Sequence, residues 1–161
     1  MKIIDAKLGD INAGCKHIMM WLSNNDFKVD AIVGVARGGL IPATILAYQL
    51  EVPMFVESVS SYAHIGSTIA VPNRTETKIL QPVNVKEMKE LGYNNVLIVD
   101  DICDSGKTLS ELRDKYSAGG VNTKTTTIYA KKSTAHMVST VPFVVSEDIW
   151  VNFFWEGQDI S

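Results

Sequence analysis

The chain has 161 residues, of which 46% are hydrophobic and 20% charged, and its formal net charge at pH 7 is −3. This composition is typical of a folded protein that buries its own core, so we expect a single domain over residues 1–161. The acidic balance gives no general electrostatic case for binding nucleic acid or an anionic membrane surface, and no window is long and apolar enough to predict a membrane span. Cys15 and Cys103 match no zinc spacing, and the N-terminus has no signal-peptide pattern, so we expect a cytoplasmic location.

Strand and helix patterns alternate along the chain. Apolar runs predict strands, and apolar residues at helical spacing or beside a Gly stop predict helices. Strands are predicted at 29–36, 52–60, 95–101, 124–132 and 142–146, and helices at 11–23, 40–50, 85–92 and 109–120. This alternation predicts an α/β fold with a mostly parallel twisted sheet and helices on both faces. Such sheets bind ligands where the strands end.

Two further segments do not fit the alternation. Residues 62–79 mix Gly, Ser, Thr, Pro and charge without a long period, which indicates a functional loop or a two-stranded flap. The aromatic-rich segment 147–157 contains Trp150, Phe153, Phe154 and Trp155. Most such aromatics belong to a core, but an exposed ring could stack on a planar ligand.

The most informative segment is VLIVDDICDSGKT, residues 96–108. A P-loop would need a glycine where Asp101 stands, so that motif fails. A phosphorelay receiver would begin with a similar acidic strand end, but too few residues follow. The third interpretation is a sugar-phosphate site, because the segment resembles the sugar-phosphate signature of the type I phosphoribosyltransferases at all thirteen positions. A structural alternative, in which Asp101 and Asp104 cap a turn and Ser105 caps a helix, leaves the rest of the pattern unexplained.

The chemistry of this segment suits a phosphorylated sugar. Backbone N–H groups, two hydroxyls and an ammonium at Ser105, Gly106, Lys107 and Thr108 can bind a phosphate at a helix N-terminus. The carboxylates of Asp100 and Asp101 can accept hydrogen bonds from ribose hydroxyls and, through water, bind Mg²⁺. We therefore expect a magnesium-dependent site.

A second segment, GVARGGLIP, also follows a predicted strand. Gly38 lets the backbone approach a ligand closely, and Arg37 adds charge-assisted donors, so this segment suits a pyrophosphate. A glycine turn before a helix is common, and the segment gains weight from its combination with residues 96–108.

The whole chain then resembles the type I phosphoribosyltransferases, most like the bacterial xanthine-guanine (purine) group. The matching segments, in chain order, are ARGGLIP, SVSSYAH, VLIVDDICDSGKT, IYAKK and EDIWVNFFWE. The resemblance implies that fold, with a small base-binding hood at about 146–161 and a flexible lid at about 62–79 that begins at Ser60, Ser61 and Tyr62. It implies transfer of the 5-phosphoribosyl group from phosphoribosyl pyrophosphate to guanine, xanthine or hypoxanthine in purine salvage.

The resemblance also implies roles for individual residues. Asp104 would be the general acid/base, Asp101 would line the ribose, and Asp101 and Glu156 would meet magnesium directly or through water. Lys131 would donate to the purine 6-oxygen, Trp150 would stack on the base, and the Val151 backbone would contact its exocyclic edge. Arg74 or Lys78 would reach the pyrophosphate, and a homodimer or homotetramer is expected.

Alternatives remain. The chain could be a non-catalytic regulator that senses phosphoribosyl pyrophosphate, since a fold alone does not give function. It could also act on another base. The sequence departs from the family pattern at Lys107, where we expect glycine, and at Glu156, where we expect aspartate.

Overall fold

The computed structural model describes residues 1–60 and 78–157. Ser61, Tyr62 and Arg74, and with them nearly all of the predicted lid, lie outside the described residues. The strands are β1 (Lys2–Ala6), β2 (Ala31–Ala36), β3 (Met54–Ser60), β4 (Lys78–Gln81), β5 (Asn95–Cys103), β6 (Asn122–Lys131), β7 (Phe143–Val145) and β8 (Ile149–Phe153). The helices are α1 (Leu8–Asn24), α2 (Leu40–Leu50), α3 (Val85–Glu90) and α4 (Lys107–Ala118), with a short 3-10 helix at Ala135–Met137.

Six strands form the main sheet in the order β4-β3-β2-β5-β6-β7. All neighbours are parallel except β4, which pairs antiparallel with β3. Five consecutive residues of β2, Ala31–Val35, are buried, as expected for a central parallel strand covered on both faces. The predicted α/β fold with a mostly parallel sheet is confirmed.

Two cores lie on opposite faces of this sheet. One includes Ile11 and Ile18 of α1 and Leu46 of α2, and the other includes Met88 of α3 and Leu112 of α4. The helices therefore cover both faces, in consecutive pairs. Among the helices of the described residues, none is long and apolar enough to cross a membrane.

The structure adds features that the sequence patterns did not predict. β1 pairs in parallel with β8 in a separate two-stranded sheet, which carries the aromatic segment near the C-terminus. β5 ends at Cys103, two residues beyond the predicted end of that strand at Asp101. The first helix begins at Leu8, three residues before the predicted start.

The topology brings the candidate site segments to one edge of the sheet. β2, β5 and β6 are neighbours and parallel, and they end at Ala36, Cys103 and Lys131. The Arg37 segment, the acidic segment and the lysine strand end therefore meet at the carboxyl edge, where ligands bind in sheets of this kind.

Candidate active site

The segment after β5 forms a small cavity. We define residues 104–108 as the phosphate loop. Four of these five residues line a cavity of about 90 Å³: Asp104, Ser105, Gly106 and Thr108. The other lining residues are Asp100, Ile102, Cys103 and Leu109. α4 begins at Lys107, so the backbone N–H groups of its first turn, which lack partners within the helix, lie at this loop. A helix N-terminus of this kind favours an anion.

Gly106 is required at this turn for two reasons. Its φ is +77°, which is the left-handed region that disfavours a side chain. A β-carbon there would also overlap the Sδ and Cε atoms of Met137. Gly106, rather than Ser105, occupies the N-cap position, although the Ser105 hydroxyl accepts a hydrogen bond from the Lys107 N–H at 3.3 Å. Lys107 lines neither this cavity nor the larger one described below.

Asp100 and Asp101 form a carboxylate pair in a confined space. Burial, followed by the charge of Asp101, raises the pKa of Asp100 well above its usual range. Burial is also the main cause of the raised pKa of Asp101, and the Glu156 carboxylate adds to it. The N–H of Asp101 donates to Asp100 Oδ1 at 2.9 Å, and the N–H of Ile102 donates to Asp101 Oδ1 at 2.8 Å. Two carboxylates held this way favour a cation or a polyol donor beside them.

The glycine segment after β2 packs directly against this pair. A β-carbon on Gly38 would overlap the carboxylate of Asp101, and one on Gly39 would lie 2.6 Å from the carbonyl oxygens of Val35 and Val99. The two segments therefore fit together because both positions are glycine. Arg37 is exposed next to them, and the peptide bond between Ala36 and Arg37 is cis.

A larger cavity of about 700 Å³ adjoins the phosphate loop. It shares Ile102, Asp104, Ser105 and Thr108 with the small cavity, so the two cavities adjoin each other. Its remaining lining residues are Met1, Lys131, Glu147, Asp148, Ile149, Trp150, Val151, Phe153 and Glu156. The phosphate loop and the predicted base-binding residues thus surround one space.

Lys131 and Trp150 present different surfaces to that cavity. Lys131 is 8% exposed, and its ammonium donates to the carbonyl oxygens of Glu147 and Ile149. Trp150 is 46% exposed, whereas Val151 and Phe153 are buried, so the Trp150 ring is the aromatic surface that can accept a stacked ligand. Glu156 Oε2 accepts a hydrogen bond from the Phe153 N–H at 3.2 Å, so this carboxylate contacts the backbone of β8.

Several lining residues were not singled out from the sequence. Ile102 lies inside the acidic segment but is apolar, and Glu147 and Asp148 precede Trp150 as an acidic pair that sequence reasoning passed over. The acidic pair was a usable signal, because only Ile149 separates it from the exposed tryptophan. Among the predicted lid residues, Ser60 ends β3 and Lys78 begins β4.

The carboxylates of the site provide part of what magnesium requires. In the described part of the chain, no group of three or more His, Cys, Asp or Glu side chains is arranged to hold a metal ion. Magnesium in phosphoryl sites is usually held by one or two carboxylates together with substrate phosphates and water. The Asp100–Asp101 pair, with the Glu156 charge acting on Asp101, fits that partial shell.

The chain is similar to known phosphoribosyltransferases. The phosphoribosyl transferase domain model matches residues 7–159. A xanthine-guanine phosphoribosyltransferase of Roseobacter denitrificans is 33% identical over 126 residues, which span 78% of this chain and 68% of that protein. One from a Ruegeria species is 36% identical over 136 residues, spanning 84% of this chain and 73% of that protein.

A solved structure gives the same result for the fold. The purine phosphoribosyltransferase of Pyrococcus horikoshii has a TM-score of 0.76 and 26% identity, and the match covers 100% of this chain and 99% of that one. The resemblance seen in the sequence is thereby confirmed, and this chain belongs to the phosphoribosyl transferase family.

Proposed function

We propose that this protein transfers the 5-phosphoribosyl group from phosphoribosyl pyrophosphate to a 6-oxopurine: guanine, xanthine or hypoxanthine. The products are the nucleoside monophosphate and pyrophosphate, as in purine salvage. The observation that carries the proposal is the pair of adjoining cavities that share Asp104, Ser105 and Thr108, the larger of which is also lined by Lys131 and Trp150. The named activities of the relatives support the same reaction.

The phosphorylated sugar would occupy the smaller part of this space. The 5′-phosphate would accept hydrogen bonds from the N–H groups and hydroxyls of the phosphate loop, with Ser105 and Thr108 lining its pocket. Asp100 and Asp101 would accept hydrogen bonds from the ribose hydroxyls. Because the pKa of each is raised by burial, a donor or cation that stabilises the ionised pair would be bound favourably.

The leaving group would lie beside Arg37 and the backbone of Gly38. Negative charge accumulates on pyrophosphate as its bond to C1 of the ribose breaks, and the Arg37 guanidinium would stabilise that charge. Magnesium, when bound, would supply further positive charge at the phosphate oxygens, and Asp101 and Glu156 would hold it directly or through water.

The purine would occupy the larger part of the cavity. One of its ring nitrogens would attack C1, while Lys131 donates to the 6-oxygen and Trp150 stacks on the ring. The carbonyl oxygens of Glu147 and Ile149 hold the ammonium of Lys131 in place, which fixes the direction of its remaining donor capacity. The backbone of Val151, in β8, would contact the exocyclic edge of the base.

Asp104 would handle the proton of the purine. It is exposed and lines both parts of the cavity, so its carboxylate is accessible where sugar and base would meet. It would accept or return the proton at N7 as the purine nitrogen bonds to C1. Acid/base assistance of this type contributes about 10²–10⁴-fold to rate.

The reaction can be tested directly. Purified protein would be assayed with magnesium and phosphoribosyl pyrophosphate and with guanine, xanthine, hypoxanthine or adenine, following nucleotide formation by absorbance. We expect turnover of at least one 6-oxopurine and much slower turnover of adenine, which lacks the oxygen that Lys131 would contact. Binding of phosphoribosyl pyrophosphate without turnover of any base would instead identify a regulator.

The proposal extends to assembly and location. We expect a homodimer or homotetramer in the cytoplasm. Sedimentation equilibrium would give the mass of the assembly, and a value equal to one 17.7 kDa chain would contradict the expected oligomer.

A further inference from the structure

The connection between β6 and β7 packs against the phosphate loop. The Thr134 hydroxyl, on a residue that is 7% exposed, donates to the carbonyl oxygen of Cys103 at 2.8 Å. In return, the Cys103 thiol donates to the carbonyl oxygen of Thr134 at 3.9 Å. These reciprocal contacts fix the last residue of β5, after which the phosphate loop begins.

Met137 makes the second contact, at the centre of the phosphate loop. Its Sδ and Cε atoms occupy the space that a side chain on Gly106 would need. Met137 is not among the residues that line the small cavity, so it supports the loop from outside the phosphate pocket. The Met137 N–H donates to the Thr134 carbonyl at 2.9 Å, which links the two contacts into one unit.

This unit is also tied to the base-binding strand. The Thr134 N–H donates to the Lys131 carbonyl at 3.0 Å, and its hydroxyl lies 3.3 Å from the same oxygen. Lys131 is the residue that faces the larger cavity. The connection therefore joins the strand end at the base site to the loop at the phosphate site.

We propose that Thr134 and Met137 are positioning residues that hold the phosphate loop in the shape that receives the 5′-phosphate. This inference rests on the proposed function, because it assumes that the loop binds that group. Gly106 has a positive φ and no side chain of its own to restrain it, so support must come from a neighbouring segment. Thr134 holds the entrance to the loop, and Met137 covers its turn.

The test compares two ligands that use different parts of the site. Inhibition constants for ribose 5-phosphate and for pyrophosphate would be measured in Thr134→Val and Met137→Ala, together with the KM values of both substrates and kcat. Thr134→Ser, which keeps the hydroxyl, and Met137→Leu, which keeps most of the volume, are the matched controls. Circular dichroism and thermal unfolding would establish that each variant folds.

We expect Thr134→Val and Met137→Ala each to weaken the binding of ribose 5-phosphate by about tenfold, which corresponds to the loss of one well-placed buried interaction. Pyrophosphate binding should change by less than about twofold, since Arg37 lies outside the supported loop. Thr134→Ser and Met137→Leu should bind ribose 5-phosphate about as the parent protein does.

Two results would overturn the inference while leaving the proposed function intact. One is unchanged ribose 5-phosphate binding in both Thr134→Val and Met137→Ala. The other is an equal weakening of ribose 5-phosphate binding and pyrophosphate binding, which a general loss of structure would produce. Should one variant fail to fold, the other carries the same comparison. Failure of the parent protein to bind ribose 5-phosphate would overturn both the inference and the proposed function.

Discussion

Asp104 and Asp100 lie four residues apart but in different surroundings. Asp104 is exposed at the junction of the two parts of the cavity, whereas Asp100 is half-buried beside Asp101 and has a raised pKa. An accessible carboxylate suits proton transfer, and a crowded pair suits binding of a cation or polyol donor. The two residues are therefore expected to fail in different ways when they are altered.

Asp104→Asn should lower kcat by about 10²–10⁴-fold and change the KM of phosphoribosyl pyrophosphate by only about two- to threefold. The amide keeps the shape of the side chain but cannot accept the purine proton. Steady-state kinetics would measure both values. Asp114→Asn, which alters an exposed carboxylate on α4, is the control and should behave as the parent protein. Full activity in Asp104→Asn would refute the acid/base role.

Asp100→Asn should stabilise the ligand-free protein at neutral pH. Because the pKa of Asp100 is raised in the folded state, the folded protein binds this proton more tightly than the unfolded chain does. The free energy of unfolding therefore falls as pH rises above the ordinary aspartate value of 3.8. An uncharged side chain removes this loss, and we expect the Tm at pH 7 to rise by about 2–4 °C, the effect of roughly 1 kcal/mol.

Thermal unfolding from about pH 4 to pH 7 would measure this effect. The difference in Tm between Asp100→Asn and the parent protein should be largest at pH 7 and should shrink toward pH 4, where the parent Asp100 is protonated. Magnesium with phosphoribosyl pyrophosphate should also raise the Tm of the variant less than it raises the Tm of the parent protein. A lower Tm in the variant at pH 7 would contradict the account of this carboxylate pair.

At the scale of the elements, Glu57 makes the main polar connection described on the sheet face that α3 and α4 cover. This residue of β3 is 0% exposed, and its Oε1 accepts hydrogen bonds from Lys115 Nζ at 2.6 Å and from the Tyr116 hydroxyl at 3.0 Å. The same oxygen accepts the Val83 N–H at 3.2 Å, beyond β4. One carboxylate thus joins β3, the segment after β4, and the helix that follows the phosphate loop.

Lys115→Met should destabilise the fold by about 2–4 kcal/mol, because it leaves the buried Glu57 carboxylate without its cation. Lys115 is 25% exposed, which places the expected cost toward the lower part of that range. Urea unfolding would measure the change in the free energy of unfolding.

The matched control for this prediction is Lys86→Met. The Lys86–Glu90 pair is 4.0 Å apart and exposed, so its loss should cost less than about 1 kcal/mol. Equal effects of the two substitutions would show that the Glu57 connection does not contribute as argued.

The strands and helices also show which parts of the fold can be predicted from the sequence and which cannot. Periodicity identified the central strands and the helices because their burial is local to each segment and continuous, as in β2. It missed β1 because a five-residue strand with mixed polarity becomes recognisable only when β8, at the other end of the chain, pairs with it. Likewise, the contacts of Thr134 and Met137 with the phosphate loop join segments that no short motif connects.

At the scale of the whole molecule, the site is assembled by topology. Residues 37, 104 and 131 follow or end three neighbouring parallel strands, and the β1–β8 sheet brings Trp150 over the same edge. The motif at residues 96–108 predicts the phosphate end of the site, and several of its residues line the small cavity. The adjacency of the two cavities, the packing of Asp101 on Gly38 and the hydrogen bonds of Lys131 depend on long-range packing and needed the structure.

The most direct measurement is a crystal structure with guanosine 5′-monophosphate bound. The account predicts the phosphate in the small cavity against residues 105–108, the ribose hydroxyls at Asp100 and Asp101, and the purine between Lys131 and Trp150. A structure in which the nucleotide binds with its phosphate away from this loop, or with its base outside the cavity of Lys131 and Trp150, would contradict it.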